Sequence, residues 1–497
     1  MSRRILWGDL HNHCNVSYGW GSLERALAVA RQQLDFVSVT GHASWPDMPT
    51  DEARYGEVIR YHTEGFERLR RNWPRYLDRL RTADEEGAFV TFPGFEWHST
   101  AYGDHHVVLR DFAGEPVSGD DPAALAAALA GREALLVPHH TGYGPRARGI
   151  DWNAFDGARS PVVEMISSHG SSEADGSPRP VYHTMGPRVH AGTVAAGLEA
   201  GHRFGVVGST DHHGGFPGHY GAGRAAVFAE APTREAIWEA LRERRCYAVT
   251  GDKIRLAFAI DGTGMGGVAA PSSERRVRLR VEGRDRLDRV EVLKNGRPLV
   301  GRLVPPDDPD VEADRWLLRL EWGWGEKGQA YAWEGAARVE GGEILEVEPT
   351  FRGNEMLDPR DDDAGMSENA VPHEVLESGP RRVRWRSTTY GNPHPSVPAT
   401  SGLILEIAGG LGTHVALDVN GMTGRFSLRE LRRGSRRLST RSWLEPAVHV
   451  HRPVAPSERT FELELADAPA SECDHYMLRV GQVNDQWAWS SPIWVPR

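Results

Sequence analysis

Short apolar segments that end in histidine, aspartate or glutamate recur along the first half of this 497-residue chain. The segments span residues 5–13, 36–42, 89–96, 135–140, 162–169 and 206–213. Between them lie stretches of helical character, at residues 23–34, 66–85, 122–130 and 235–244. Strands that alternate with helices predict parallel βαβ units. In α/β barrels the reactive groups gather at the C-terminal ends of the strands, so the pattern predicts an α/β barrel with a cluster of ligands at one end.

The first segment ends in Asp9-Leu10-His11-Asn12-His13. In an extended backbone, residues i and i+2 point to the same side, so His11 and His13 can direct two imidazoles to one point. Asp9 lies on the same face and is a candidate to hold one ring by a hydrogen bond. Asp211 and His213 have the same spacing. A hydrogen-bonded pair at a strand end is the alternative for each pair, but the recurrence of the pattern favours metal ligands.

Histidine is concentrated in the first half of the chain. Of 22 histidines, 16 fall at or before residue 219, and the other six are scattered from residue 373 onward. This asymmetry places the predicted chemistry in the first half.

The second half has the pattern of a β-rich region. Residues 277–281, 290–293, 316–320 and 403–407 have the composition of strands, several with period-two alternation, and Asn295-Gly296 predicts a hairpin turn. We predict two domains, a barrel over 1–252 and an all-β, sandwich-like region over 253–497. A polar stretch that contains Asp361-Asp362-Asp363 divides the second region near 353–380 or forms a long excursion over the barrel. The aromatic segment from Trp487 to Trp494 suits docking against the barrel, or else belongs to the core of the sandwich.

Composition bounds the partners and the location. The net charge is −11 and the isoelectric point is near 6.1, so we expect neither nucleic acid nor an acidic membrane as a partner, and a small molecule as the substrate. Three cysteines are too few and too scattered for a disulfide framework. No secretory h-region and no apolar run of membrane-spanning length occurs in the sequence. We expect a cytoplasmic protein, and nothing in the sequence specifies its oligomeric state.

Taken together, the ordered motifs resemble those of the PHP superfamily, named for polymerase and histidinol phosphatase. The matching motifs are Asp9-Leu10-His11-Asn12-His13, Thr40-Gly41-His42, Gly94-Phe95-Glu96-Trp97, Pro138-His139-His140, Ser168-His169-Gly170 and Gly208-Ser209-Thr210-Asp211-His212-His213. They extend from residue 1 to about residue 250, roughly half of the chain. The resemblance implies a distorted seven-stranded (β/α) barrel, a site for two or three metal ions and, usually, phosphoester hydrolysis. The chain also resembles a branch of the family that carries a β-rich domain after the barrel.

The resemblance implies a ligand set, residue by residue. One ion would be held by His11, His13, Glu96 and Asp211, and a second by Glu96, His139 and His169, with Glu96 bridging. His42 and His213 would be what remains of a third position. The chain has Gly19 and Gly41 where the family often has side chains that support the third ion. We therefore expect two ions.

The ligand types restrict the metal. Imidazole and carboxylate without thiolate suit Zn²⁺, Mn²⁺ or Fe²⁺. Two such ions, about 3.5–4 Å apart, can bind the attacking and the leaving oxygen of a displacement.

Candidate catalytic residues lie beside these ligands. Successive side chains of an extended backbone face opposite ways, so only one of His139 and His140 should be a ligand. The family motif favours His139, and His140 becomes a candidate catalytic residue. His106, in Asp104-His105-His106, is the second candidate, because one of these residues could give a proton to a leaving group; a structural hydrogen bond is the alternative.

Arginines in the loops after His140 and His169 could bind a phosphoryl group. They are Arg146, Arg148, Arg179 and Arg188, and ordinary solvated arginine is the alternative for each.

The leading function is therefore metal-dependent phosphoester hydrolysis. Two alternatives stay open. Activated water at the same centre would also attack an amide, a lactone or another ester. The barrel could instead be a non-catalytic, metal-containing binding module.

Overall fold

A computed structural model of the chain describes residues 3–180, 186–303, 311–354, 366–391, 398–439 and 444–497. The run Asp361-Asp362-Asp363 and part of the predicted division at 353–380 lie outside the described residues. The fold is mixed α/β with extensive β-sheet. Among the described residues, no helix is both long enough and apolar enough to cross a membrane.

The first half alternates strands with helices, as the sequence predicts. In chain order its elements are β1 (Arg4–Asp9), α1 (Leu23–Arg31), β2 (Phe36–Ser44), α2 (Glu52–Ala83), β3 (Val90–Trp97), β4 (His105–Leu109), α3 (Pro122–Ala128), β5 (Ala134–Pro138), β6 (Val162–Ser167), β7 (Gly170–Ser171), α4 (Val194–Glu199), β8 (Gly205–Gly208), β9 (Arg224–Ala229), α5 (Arg234–Arg242) and β10 (Cys246–Val249). Ser22, Asp51 and Asp121 begin the first three helices, where each side chain accepts a backbone N–H that has no partner inside the helix.

The sheet of the first half is parallel only in part. β1 and β2, β2 and β3, and β6 and β8 pair in parallel. β4 instead runs antiparallel between β3 and β5, and β9 runs antiparallel between β1 and β10. The prediction of parallel units is wrong at these strands. For β4 the reason is that residues 98–104, between β3 and β4, are too few for a parallel crossover. β6 contacts β5, at one end of the larger sheet, and β8 contacts β9 and β10, two of its interior strands.

The second half is almost entirely β-structure. Its elements are β11 (Arg255–Ile260), β12 (Thr263–Gly264), β13 (Arg275–Glu282), β14 (Leu287–Lys294), β15 (Arg297–Leu303), β16 (Arg315–Trp324), β17 (Ala330–Glu340), β18 (Glu343–Thr350), β19 (His373–Gly379), β20 (Arg382–Tyr390), β21 (Ser401–Ala408), β22 (His414–Val419), β23 (Met422–Ser427), α6 (Leu428–Arg433), β24 (Arg436–Ser439), β25 (Pro446–Val450), α7 (Pro456–Arg459), β26 (Thr460–Asp467), β27 (Cys473–Gln482), β28 (Trp487–Ser490) and β29 (Ile493–Pro496). Asn295 and Gly296, both at positive φ, turn the hairpin between β14 and β15 as predicted.

Two five-stranded sheets of this half share one apolar core. One has the order β18-β21-β16-β25-β24 and the other β19-β20-β17-β22-β23. Trp322 of the first stacks on Trp385 of the second, with ring centroids 5.0 Å apart, and both side chains are fully buried.

The last strands of the chain extend the sheet of the first half. β28 pairs with β10, and the same sheet continues through β27 and β14 to β15. The aromatic segment that begins at Trp487 therefore lies against the first half, as the sequence suggests. The predicted boundary at residue 252 falls on a buried side chain that the second half binds: Arg319 Nη2 lies 2.8 Å from Asp252 Oδ1, and Asn484 Nδ2 lies 2.8 Å from Asp252 Oδ2.

Candidate metal centre

The strand ends of the first half bring histidines and carboxylates into one buried cluster. The cluster comprises His11 and His13 after β1, His42 in β2, Glu96 in β3, His106 in β4, His139 after β5, Glu164 in β6, His169 after β6, and Asp211 and His213 after β8. β1, β2 and β3 are parallel, so their C-terminal ends lie at the same edge. The predicted ligands thus come together in space.

Glu96 lies between two groups of histidines. Its Oε2 is 3.1 Å from His42 Nε2 and 3.5 Å from His13 Nε2. Its Oε1 is 3.1 Å from His139 Nε2 and 3.3 Å from His98 Nδ1. The two oxygens of one carboxylate therefore face different sets of nitrogen donors.

Asp211 occupies the opposite side of the cluster. Its Oδ1 lies 3.0 Å from His13 Nε2, and its Oδ2 lies 2.8 Å from His169 Nε2. Asp211 has a positive φ of 50°, and its backbone N–H donates to the carbonyl of His11. His169 thus contacts Asp211, whereas the sequence analysis grouped it with Glu96 and His139. The hydroxyl of Tyr143, 2.8 Å from His169 Nδ1, orients this ring.

Several sets of three donors are spaced as metal ligands. The ligand atoms lie within 4.8 Å of one another in the sets His11–His106–His139, His13–His42–His213 and His11–His13–Asp211. Both ring nitrogens of His106 are buried and have no hydrogen-bond partner among the described residues, which is costly unless an ion or another group binds them. All the donors are imidazole or carboxylate, so the cluster fits a transition-metal ion such as Zn²⁺, Mn²⁺ or Fe²⁺.

Cys14 does not join the cluster. Its side chain packs in an apolar core with Leu23 and Val39, and burial raises the pKa of the thiol to about 12. It therefore stays a neutral, buried side chain.

Burial and neighbouring charged side chains shift the pKa values of the groups in the cluster. Burial opposes ionisation of Glu96, but His98 and His42 nevertheless hold its pKa well below the ordinary value. The pKa of Asp211 is likewise well below the ordinary value, because His11 and His169 outweigh its burial. Burial lowers the pKa of His106 and of His139, with His11 acting in the same direction. Those two rings are neutral at neutral pH, which is the form that binds metals.

His139 and His140 point in different directions, as expected for neighbours at a strand end. His139 faces Glu96, whereas His140 Nε2 lies 3.3 Å from Asp104 Oδ2. Burial opposes the charge of Asp104, but Arg148 and His98 keep its pKa well below the ordinary value. His140 Nδ1 is buried with no hydrogen-bond partner among the described residues.

Of the four candidate arginines, Arg148 reaches the cluster. It forms an ion pair with Asp104, and its Nη2 lies 2.7 Å from His98 Nδ1. Arg179 binds Asp485 of the second half, Arg188 donates to backbone carbonyls such as that of Ser171, and Arg146 is exposed. The latter three have structural or surface positions.

Asp9 binds no histidine ring among the described residues, so its predicted role is wrong. Its carboxylate accepts the backbone N–H groups of His11, Thr210 and Gly218, and the hydroxyl of Thr210. It therefore joins the backbone of the first and last ligand segments. His11 Nδ1 instead lies 3.3 Å from Glu164 Oε2.

The two glycines that depart from the family pattern lie in crowded places. A Cβ at Gly41 would come within 2.7 Å of Leu69 Cδ1, and Gly19 has a φ of +126°. Tyr18 instead stacks on His42, with ring centroids 3.5 Å apart. An aromatic ring thus lies beside His42, which the sequence analysis assigned to a third metal position.

His98 and Glu164 contact the cluster but were not predicted from the sequence. His98 follows Glu96 at i+2 and faces the same side, a spacing identical to that of His11 and His13. Glu164 interrupts the apolar run of β6, and a single buried acid in such a run was the available signal.

The cluster is most accessible near His213 and His169. Their side chains are 16% and 9% exposed, compared with 0% for His11 and His13. The side of the cluster nearest to solvent is therefore the one formed by the segments after β6 and β8.

Comparison with known proteins gives distant relatives. A family of proteins of unknown function, DUF3604, matches residues 219–264. The chain is 28% identical over 273 residues to an uncharacterized protein of Chlamydia pneumoniae, with 49% of this chain and 42% of the relative covered. It is also 28% identical over 320 residues to an uncharacterized protein of Chlamydia trachomatis, with 59% and 48% covered. The chain thus spans less than half the length of these relatives.

Two solved structures show a weak likeness. One is a two-domain protein from Bacteroides vulgatus that contains a predicted PHP-like metal-dependent phosphoesterase; the TM-score is 0.33, the identity is 12%, and 93% of this chain and 96% of that chain are covered. The other is a lesion-specific endonuclease from Pyrococcus furiosus, with a TM-score of 0.30, 14% identity and coverage of 48% and 56%.

Proposed function

We propose that this protein is a metal-dependent hydrolase that cleaves phosphoesters of small molecules. The observation that carries the proposal is the position of Glu96. One buried, ionised carboxylate faces His42 and His13 through one oxygen and His139 through the other. That arrangement suits a carboxylate shared by two cations, and the surrounding donors contain no thiolate.

The ligands divide between two ions. His11, His13 and Asp211 would hold one ion, with His169 on the same side. His139 and His106 would hold the second, and Glu96 would serve both. His42 and His213 complete the set beside His13. Divalent transition ions bound there supply Lewis-acid activation of a water molecule and of the phosphoryl group.

His140 and Asp104 form the proton-transfer pair in this proposal. With Nε2–H donating to Asp104, His140 keeps Nδ1 unprotonated and able to accept a proton. Burial lowers the pKa of His140, so the ring is neutral at neutral pH. Arg148 adds a fixed positive charge beside the pair.

A panel of phosphoesters and carboxylic esters, assayed with Mn²⁺ and with Zn²⁺, tests the proposal. We expect turnover of p-nitrophenyl phosphate that is lost on chelation and restored by metal. Replacing Glu96 by Gln should abolish that turnover, and replacing the exposed Glu85 by Gln should not. Turnover of carboxylic esters alone would favour the other hydrolase class, and a metal-loaded protein inactive on the whole panel would contradict the proposal.

A further inference from the structure

The second half contains a cavity that is separate from the histidine cluster. Its volume is about 380 Å³, within the range of small-molecule sites. The turn between β13 and β14 lines it, together with β16, the end of β25 and the turn between β27 and β28. The cavity therefore lies where three sheets meet, a common location for ligand sites.

The described lining is rich in hydrogen-bond donors. The lining residues include Arg284, Arg286, Arg319, Arg432, Arg452, His449 and His451, of which Arg284 and Arg432 are almost completely buried. The carboxylates among the described lining residues are Asp285 and Glu458. Glu458 is already engaged, because its two oxygens lie 2.9 and 3.0 Å from the guanidinium of Arg432.

Arg319 and Arg284, at the base of the cavity, each contact a carboxylate that does not line the cavity. Asp252 binds Arg319 with both oxygens, at 2.8 and 2.9 Å, and Glu348 Oε2 lies 2.7 Å from Arg284 Nε. Neither carboxylate lines the cavity. Their guanidinium groups are therefore positioned before any ligand arrives, which lowers the entropic cost of binding.

Two of these arginines have an N–H group without a hydrogen-bond partner among the described residues. These groups, Arg284 Nη1 and Arg319 Nε, are both buried. Buried donors are normally satisfied. The side chain of Arg319 is 11% exposed and that of Arg284 is 0% exposed, so Arg319 is the one of the two that an acceptor in the cavity can reach. Guanidinium groups that approach from different strands match the several oxygens of a phosphate better than the planar pair of a carboxylate.

We propose that this cavity is a second ligand site, which binds a small phosphate-bearing molecule. Arg284 and Arg319 form its base, and Arg286 and Arg452 lie at its rim. Leu317 and Val454 add an apolar wall for the organic part of the ligand.

Binding of inorganic phosphate to the full-length protein tests the site. Equilibrium dialysis with radiolabelled phosphate should be done in wild type and in the Glu96→Gln background, which separates this site from the metal centre. We expect Arg286→Gln with Arg452→Gln to weaken phosphate binding in both backgrounds by at least about tenfold. The matched control is Arg278→Gln with Arg280→Gln, which removes the same charge from exposed arginines of β13.

The result that overturns the proposal is equal phosphate affinity in the rim variant and the control, or no measurable binding in the Glu96→Gln background. Arg452 is exposed and Arg286 half-buried, so the rim substitutions should leave the fold intact. Thermal unfolding verifies this, and the two single variants replace the double variant if it unfolds. Loss of phosphoesterase activity on every substrate would leave this test unaffected.

Discussion

Glu96 is the side chain on which the cluster depends most, because histidines converge on both of its oxygens. Its ionised state is maintained by those histidines against the effect of burial. A neutral amide of the same shape would keep the packing and lose the charge.

We therefore expect Glu96→Gln to remove activity more thoroughly than His42→Ala. Loss of a member of a reacting unit costs about three orders of magnitude in kcat or more, whereas His42, which stacks on Tyr18, belongs to the predicted third position. Steady-state kinetics of the two folded variants give the comparison. Equal residual activity would show that Glu96 does not serve both ions.

His106 provides a second test at this scale, because its neighbour is a natural control. We expect His106→Asn to lower the metal content, since its unpartnered nitrogens face His11 and His139. His105→Asn should keep the metal, because His105 packs against Trp97 and its Nδ1 lies 2.9 Å from the Gly103 carbonyl. If the His106 variant keeps its full metal content and loses only turnover, His106 is a proton-transfer residue instead of a ligand.

At the scale of elements, the sequence predicted features that depend on local spacing and did not predict strand pairings between distant segments. The spacing of His11 and His13 correctly predicted convergence, because a strand presents alternate residues to one face. The direction predicted for β4 was wrong, since alternation of strands and helices does not reveal a short connection that reverses the chain between two strands. Glu164, which contacts the His11 ring and was not predicted, lies 153 positions away in the sequence. A local sequence pattern cannot predict such a contact. The pairing of β28 with β10 is also non-local, and only the aromatic composition of the segment hinted at it.

Asp252 connects the first half to β16 and to the turn between β27 and β28. Its charge makes the free energy of unfolding depend on pH. Burial opposes ionisation, but Arg319 keeps the pKa of Asp252 below its ordinary value of 3.8. Its contribution is therefore complete above that value and is lost as the pH falls through the lower pKa of the folded state. We expect Asp252→Asn to destabilise the protein by about 3–5 kcal/mol at pH 7, because it leaves Arg319 buried without its partner.

Urea unfolding measures this effect. The difference in unfolding free energy between wild type and Asp252→Asn should shrink below about pH 4. Asp288→Asn, on an exposed residue of β14, is the control and should change little. A difference that stays constant from pH 7 to pH 3 would show that Asp252 acts by packing alone.

At the scale of the whole molecule, the two halves share one sheet. The histidines of the cluster described above all belong to the first half, and the division in which the first half carries the chemistry stays a prediction. Residues of the second half nevertheless contact the ligand loops: Asn354 accepts from His212 Nε2, and Asn15 donates to Glu368. Exclusion of nucleic acid as a partner stays a prediction from net charge.

The shared sheet changes what truncation should do. From the sequence, a chain ending at Asp252 should keep metal binding if it folds and should lose selectivity or solubility. The structure adds that such a chain would expose the edge of β10, which β28 normally pairs. Exposed edges promote aggregation, so we expect loss of solubility, measured by size-exclusion chromatography. A monomeric, folded fragment with full metal content would contradict this.

Whether the histidine cluster is a metal centre is tested most directly by elemental analysis of the full-length protein after metal reconstitution. We expect about two transition-metal ions per chain, with the stoichiometry reduced by Glu96→Gln and unchanged by Glu85→Gln. A protein that binds no transition metal, or that holds three ions tightly, would contradict this expectation.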